Sequence, residues 1–202
     1  ILLSEHLYYD IKDFVPKKYL HICPNGIIED SKIDFVSKKK ISDDEVNILF
    51  LSNLIESKGV FILLQALSSL KKKGKNFKCI YVGSEGDIDS NMFKDKLTSL
   101  DLINNVKYVG PKYDNEKDKI FQNADIFVFP TYYENECFPL VLLEAMQHQL
   151  PIISTYEGGI TDIVDDDITG YLVEQKNIKS LSEKIELLID NDDLRIKMGK
   201  MG

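Results

Sequence analysis

The chain has 202 residues, of which 44% are hydrophobic and 29% are charged, so it is long enough to bury the core of one good-sized domain. Its formal net charge of −8 argues against nucleic acid or an anionic membrane surface as a partner, because both require clustered basic side chains. No apolar run approaches the roughly 20 residues that a membrane-spanning helix needs.

Predicted strands and helices alternate regularly after a first segment, residues 1–34, in which no strand-helix unit is completed. The predicted strands are Val46–Ser52, Phe77–Val82, Val106–Val109, Ile126–Phe129, Pro151–Ser154 and Gly170–Val173, and the predicted helices are Gly59–Lys73, Ser90–Leu100, Asn115–Asn123, Pro139–His148 and Ile178–Asp190. Strands joined by helical crossovers form a parallel sheet. The predicted fold class is therefore α/β, a Rossmann-like parallel sheet with helices on both faces.

The cysteines indicate a reducing compartment. Cys23, Cys79 and Cys137 are odd in number, widely spaced and in or beside apolar stretches, which is typical of reduced packing residues. A disulfide framework or a zinc site would need a different spacing. A cytoplasmic setting is therefore expected.

Two glutamates eight positions apart are the main candidates for a ligand site. Glu136 stands in the loop after the fourth predicted strand, Glu144 lies inside the following helix, and Pro139 fits the first position of that helix. Carboxylates in these places can accept hydrogen bonds from ligand hydroxyls, while free amides of the first helical turn face a phosphate. The pair is weak evidence alone, because 33 residues are Asp or Glu.

The sequence around these glutamates resembles the family 4 retaining glycosyltransferases of GT-B fold. The resemblance is carried by the run from Glu136 to Met146, by Pro151–Thr155 and by Gly158–Ile160, and it extends from about Pro24 to the C-terminus. It implies that residues 41–202 form the C-terminal, donor-binding domain. Residues 1–40 would then be the interdomain linker and a remnant of an N-terminal, acceptor-binding domain.

The implied activity is transfer of a sugar from a UDP-, GDP- or ADP-sugar to a saccharide or lipid-linked acceptor. Bacterial cell-surface polysaccharide or lipopolysaccharide synthesis is the setting that the resemblance suggests. The acceptor would be held by the N-terminal domain, so the isolated chain is expected to be inactive. Peripheral membrane association of the full-length enzyme is a further expectation.

The catalytic candidates by this resemblance are Glu136 and Lys58. Glu136 matches the acid that lies against the transferred sugar and the phosphates, and Lys58 matches the lysine that holds the donor diphosphate. Asn53 stands where the family has an arginine, so the diphosphate would lose one bidentate contact. A solvated lysine in a first helical turn is the other interpretation of Lys58.

The remaining candidates would bind the rest of the donor. Glu144 matches the acid that accepts hydrogen bonds from the two ribose hydroxyls. The backbone of Phe138, Pro139 and Leu140 matches the amides near the phosphate and sugar, although Pro139 replaces a usual glycine and removes one donor.

Two loops are expected to border the nucleotide. Gly83, in the Gly-rich turn after the second strand, would shape the pocket, and Tyr108 and Gly110 would lie beside the base. A tight turn and an ordinary strand aromatic explain these residues about as well.

Two further functions remain open, and two other classes are excluded. A nicotinamide-dependent dehydrogenase needs Gly-x-Gly-x-x-Gly directly after the first strand, and a P-loop ATPase needs its own Gly-rich motif; the sequence has neither. A non-catalytic sugar-nucleotide binding module and a sugar-nucleotide epimerase of GT-B type stay as alternatives. No metal-ligand spacing and no cofactor motif is recognised, so stabilisation of the leaving diphosphate is assigned to Lys58 and helix amides.

Overall fold

A computed structural model describes residues 1–28 and 45–202. In these residues a parallel sheet of six strands has the order β3-β2-β1-β4-β5-β6. The strands are β1 (Val46–Leu51), β2 (Phe77–Val82), β3 (Val106–Tyr108), β4 (Ile126–Val128), β5 (Ile152–Thr155) and β6 (Gly170–Val173). The helices are α1 (Tyr8–Ile11), α2 (Val60–Lys72), α3 (Ser90–Ser99), α4 (Asp114–Asn123), α5 (Leu140–Gln147), α6 (Ile178–Ile189) and α7 (Asp192–Met201).

The predicted alternation is confirmed, with each strand and helix within one residue of its predicted ends. Every residue of β4, β5 and β6 is buried. Because side chains alternate between the faces of a strand, complete burial means that both faces are covered. The Rossmann-like fold class is therefore confirmed.

Helix α2 shows how the sequence selects the packing. Its buried positions recur at helical spacing, so one stripe faces the core while its lysines stay at the far end. The buried residues are Val60, Leu63, Leu64, Ala66, Leu67, Ser68 and Leu70. Gly74 then ends the helix with φ +76°, a conformation that side chains rarely adopt.

Three expectations need correction. Helix α5 begins at Leu140, and Pro139 precedes it in an extended conformation, with φ −73° and ψ 107°. The carbonyl of Pro139 accepts a hydrogen bond from the amide of Leu142 at 3.1 Å, so the proline is the N-cap of the helix and not its first residue.

The cysteines were all expected to be packing residues. Cys79 is buried, and burial raises the pKa of its thiol. Cys23 and Cys137 are exposed, so neither is a packing residue.

Helix α7 was not predicted. Asn191 accepts a hydrogen bond from the amide of Leu194 at 3.0 Å, and Asp192 and Asp193 occupy the first turn. An Asn followed by two acidic residues is a signal for the start of a helix, so the start of α7 could have been predicted from the sequence. Among the described residues, no helix combines the length and the apolarity needed to cross a bilayer.

The first segment is separate from the sheet order. Leu2 and Ile22 form an isolated parallel bridge, with α1 and a short 3-10 turn, Lys17–Tyr19, between them. The predicted domain boundary between residues 40 and 41 lies outside the described residues.

Candidate functional site

The strand order places a crevice between β1 and β4. Successive strands run outward from β1 to β3 on one side and from β4 to β6 on the other. The loops that follow β1 and β4 therefore diverge at their carboxyl ends, which is where open α/β sheets bind ligands. Lys58 belongs to the first loop and Glu136 to the second.

These two loops touch at a glycine. Gly59 has φ +83°, and a Cβ atom built on it would lie 2.1 Å from the carbonyl oxygen of Pro130. No side chain fits between the backbones at this point. The amide of Tyr132 also donates to the carbonyl of Ser57 at 2.7 Å, so the two loops are joined by backbone contacts on both sides of Lys58.

Lys58 and Glu136 form a buried ion pair. Lys58 Nζ lies 2.6 Å from Glu136 Oε2, and the two side chains are only 14% and 10% exposed. The Lys58 ammonium also sits 4.1 Å from the centroid of the Tyr133 ring, a cation–π contact. The hydroxyl of Thr131 lies 3.3 Å from both Glu136 Oε2 and the carbonyl of Ser57. The structure thus brings the two catalytic candidates together as one unit.

Buried hydroxyls of β5 hold the loop that carries Glu136. Ser154 donates to the carbonyl of Phe129 at 2.7 Å, and Thr155 donates to the carbonyl of Thr131 at 2.6 Å. Polar side chains on a fully buried strand are satisfied in this way. The start of the loop is consequently fixed to the sheet.

The two glycines after β5 pack against the same loop. A Cβ atom at Gly158, which has φ +50°, would lie 1.6 Å from the carbonyl oxygen of Glu136. The amide of Gly159 donates to the carbonyl of Cys137 at 2.9 Å. The absence of side chains here lets the backbone approach Glu136 closely.

A polar cavity of about 320 Å³ adjoins Gly158. Its lining residues are His6, Leu7, Asp10, Glu134, Tyr156, Glu157, Gly158 and Thr161. Burial, followed by the charges of Glu134 and Glu136, raises the pKa of the Glu157 carboxyl. Part of the first segment therefore faces the loops around Glu136.

The residues expected near the base are joined by hydrogen bonds. Tyr108 Oη donates to the carbonyl of Gly83 at 2.9 Å, and the amide of Gly83 donates to the carbonyl of Gly110 at 3.1 Å. Burial and the nearby Glu85 raise the pKa of the Tyr108 hydroxyl. Asn53 Oδ1 accepts from the amide of Ser84 at 3.3 Å. These four candidates lie together at the carboxyl ends of β1, β2 and β3.

Glu144 is paired with a lysine that the sequence did not single out. Lys117 Nζ, on α4, lies 2.7 Å from Glu144 Oε1, on α5, and the side chains are 27% and 26% exposed. Neither glutamate contacts the other; each has its own lysine. No recognisable motif surrounds Lys117, so the sequence alone does not identify it as a site residue.

Phe138, Pro139 and Leu140 connect the Glu136 loop to α5. Pro139 is buried, while Leu140, the first residue of the helix, is 40% exposed. Among the described residues, no group of three or more His, Cys, Asp and Glu side chains is placed to hold a metal ion. The roles assigned to these residues stay predictions.

Comparison with known proteins identifies the family. The family model for glycosyl transferases group 1 matches residues 31–202. The chain belongs to this family. The capsular polysaccharide biosynthesis glycosyltransferase CapM of Staphylococcus aureus is 31% identical over 178 residues, which are 87% of this chain and 44% of CapM. The amylovoran biosynthesis glycosyltransferase AmsK of Erwinia amylovora is 30% identical over 141 residues, 68% of this chain and 34% of AmsK.

Solved structures agree with this group 1 assignment at the level of fold. TarM of S. aureus matches with a TM-score of 0.81 at 22% identity, over 98% of this chain and 38% of TarM. WaaG, a glycosyltransferase of lipopolysaccharide biosynthesis, matches with a TM-score of 0.83 at 20% identity, over 98% of this chain and 55% of WaaG. The group 1 chain therefore has a GT-B glycosyltransferase domain fold, and it spans less than half the length of CapM and AmsK.

Proposed function

We propose that this group 1 chain is the C-terminal, donor-binding half of a family 4 retaining glycosyltransferase. The full enzyme transfers a sugar from a nucleoside-diphosphate sugar to a saccharide or lipid-linked acceptor, which a further domain holds. The observation that carries the proposal is the buried Lys58–Glu136 pair, 2.6 Å long, at the crevice between β1 and β4. A cation at this point can bind the diphosphate of a nucleotide sugar, and a carboxylate can accept hydrogen bonds from the hydroxyls of its sugar.

In the proposed site, Lys58 binds the donor diphosphate and Glu136 accepts hydrogen bonds from the transferred sugar. Without ligand, the two charges neutralise each other inside a crevice that is largely shielded from water. A diphosphate supplies Lys58 with a stronger anion, and the carboxylate of Glu136 is then free for sugar hydroxyls. The ammonium also stabilises the charge that develops on the leaving diphosphate, the dominant requirement of the transition state.

Retention of configuration follows in this proposal from attack on the face that the leaving group vacates. A double displacement needs a carboxylate free to act as a nucleophile. In the proposed donor complex the Glu136 carboxylate is engaged by sugar hydroxyls and by the Thr131 hydroxyl, which lies 3.3 Å from Oε2. Glu136 is therefore assigned to binding and positioning.

The nucleoside is assigned to the other end of the crevice. Glu144 would accept bonds from the ribose hydroxyls, and the backbone of Phe138, Pro139 and Leu140 would lie near the phosphate and sugar. The hydrogen-bonded set of Gly83, Tyr108 and Gly110 would border the base, and Asn53, bonded to the amide of Ser84, would lie beside the diphosphate. Donors of the UDP, GDP or ADP class all fit this description.

The relatives support a bacterial surface polysaccharide setting. CapM and AmsK are described as enzymes of capsular polysaccharide and amylovoran biosynthesis, and the TarM structure is a complex that includes UDP. We extend these settings to this chain as part of the proposal. A cytoplasmic location, with peripheral membrane association of the full-length enzyme, fits a lipid-linked acceptor.

Calorimetric titration of the chain with UDP, GDP and ADP, with and without EDTA, tests the proposal. We expect one of the three to bind with a dissociation constant in the high micromolar range or weaker, because half of an interdomain cleft makes half of the contacts. Lys58→Met should abolish this binding, and Lys119→Met, at an exposed lysine of α4, should leave it intact. Binding of none of the three nucleotides refutes the proposal.

A non-catalytic sugar-nucleotide binding module is the second candidate function. It is favoured by Asn53, which stands where an arginine is expected and whose carbonyl oxygen is already engaged by the amide of Ser84. A full-length protein that binds a nucleotide sugar without consuming it would support the module. Conversion of the donor sugar without transfer would support an epimerase of GT-B type.

A further inference from the structure

We propose that Lys117 positions the carboxylate of Glu144 for the ribose hydroxyls. In this role it determines how strongly the site distinguishes ribonucleotides from nucleotides that lack these hydroxyls. The inference rests on the proposed function, because it assumes that Glu144 binds ribose. Lys117 is a positioning residue, since it acts through Glu144 and not on the reacting atoms.

The pair connects the helix that precedes β4 with the helix that follows it. Lys117 lies on α4 and Glu144 on α5, with Nζ 2.7 Å from Oε1. Within the described residues, neither side chain has another hydrogen-bond or ion-pair partner. The second oxygen of Glu144 therefore stays available to a ligand while the first is held.

Two physical effects make this contact useful for binding. A free glutamate side chain loses rotamer entropy when a ligand fixes it, and Lys117 fixes the carboxylate before the ligand arrives. An unpaired carboxylate would also repel an approaching diphosphate, on a chain whose formal net charge is already −8. The ammonium of Lys117 offsets that repulsion without occupying both oxygens.

The neighbouring pair is built differently. Lys58 and Glu136 are 14% and 10% exposed, whereas Lys117 and Glu144 are 27% and 26% exposed. The Lys117–Glu144 pair is therefore more hydrated than the Lys58–Glu136 pair, and its loss should cost the fold less. A change at Lys117 should consequently be visible in ligand recognition before it is visible in unfolding.

Paired titrations with a ribonucleotide and its 2′,3′-dideoxy counterpart test the inference. The probe is whichever of UDP, GDP and ADP binds most tightly, together with the matching dideoxynucleoside diphosphate. The proteins are the parent, Lys117→Met, Lys117→Arg, and Lys119→Met as a matched lysine control on the same helix. Circular dichroism and thermal unfolding confirm that each variant is folded.

The parent should prefer the ribonucleotide by about tenfold or more, the range for hydrogen bonds to a charged group. Lys117→Met should reduce that preference by about threefold to tenfold, because the ribonucleotide loses more affinity than the dideoxynucleotide does. Lys117→Arg should keep most of the preference because it keeps a cation, and Lys119→Met should keep all of it.

Three results would overturn the inference. Lys117→Met that binds both nucleotides more weakly by the same factor would place Lys117 against the phosphates. Lys117→Met that binds the ribonucleotide more tightly would make Lys117 a competitor of the ribose. Unchanged affinities for both nucleotides would show that Lys117 has no part in recognition.

Failure of the proposed function gives a different pattern. A parent protein that binds both nucleotides equally would refute the ribose contact of Glu144, and the inference falls with it. A parent that discriminates, beside a Lys117→Met variant that discriminates equally well, refutes Lys117 alone.

Discussion

Replacing Gly59 by alanine should damage both the stability and the site, and Gly74 offers a control with almost the same backbone. Both glycines have left-handed conformations, with φ +83° and φ +76°. Around Gly74 no atom lies within 4 Å of an added Cβ, whereas at Gly59 that Cβ would lie 2.1 Å from the carbonyl oxygen of Pro130. The two variants therefore share the conformational strain and differ in the steric contact.

The magnitude follows from these geometries. A side chain in a left-handed conformation costs about 1 to 2 kcal/mol, which is the whole expected effect of Gly74→Ala. In Gly59→Ala the Pro130 backbone must retreat by more than about 1 Å to reach an ordinary contact distance. Overpacking of this kind adds about 1 to 3 kcal/mol. For a chain of this size, a difference of about 2 kcal/mol separates the melting temperatures by about 4 to 8 °C.

The site should respond in the same order. Movement of Pro130 away from Gly59 separates the loops that carry Lys58 and Glu136, so nucleotide affinity should fall in Gly59→Ala. Gly74 lies at the opposite end of α2, about 20 Å away along the helix, and its variant should bind normally. Thermal unfolding and calorimetry on the two variants and the parent give the comparison. Equal melting temperatures and equal affinities for the two variants would refute the steric reasoning.

Three further predictions concern single side chains. Glu144→Ala should weaken nucleoside diphosphate binding by about 1 to 3 kcal/mol with little change in melting temperature, and equal calorimetric affinities for variant and parent would exclude the ribose contact. Lys58→Ala should weaken diphosphate binding far more than nucleoside binding, and Asn53→Arg should tighten diphosphate binding; equal losses for nucleoside and diphosphate in Lys58→Ala would make the lysine structural. The raised pKa of Glu157 means that the folded state holds a proton over a pH range in which the unfolded state has released it, so the free energy of unfolding falls as pH rises through that range. Glu157→Gln should therefore raise the melting temperature relative to the parent more at pH 7 than at pH 4, and a difference independent of pH would contradict the sign.

The fold was predictable because its signals are local. Apolar runs such as Ile126–Phe129 and the helical spacing of Val60, Leu63 and Leu67 each specify an element within a few residues. The sequence predicted which residues belong to the candidate site, but not which of them contact each other. That Lys58 meets Glu136 depends on the neighbouring positions of β1 and β4, and on the close approach of Gly59 to the second loop.

Residues without a motif could not be found from the sequence. Lys117 is one of two lysines in α4, and only the position of α4 against α5 makes it the partner of Glu144. The placement of Pro139 was wrong by one residue because a proline can precede a helix as readily as begin it. The exposure of Cys23 and Cys137 likewise depends on tertiary surroundings.

The single arginine of the chain is used to join two helices. Arg195 Nη1 donates to the carbonyls of Leu188 and Ile189 at the end of α6, and Nη2 bonds the carboxylate of Asp192 at the start of α7. The cations at the crevice are therefore ammonium groups, which have no planar fork to align with a phosphate. Acylating reagents that neutralise amines should abolish nucleotide binding. Dicarbonyl reagents selective for guanidinium should instead destabilise the contact between α6 and α7.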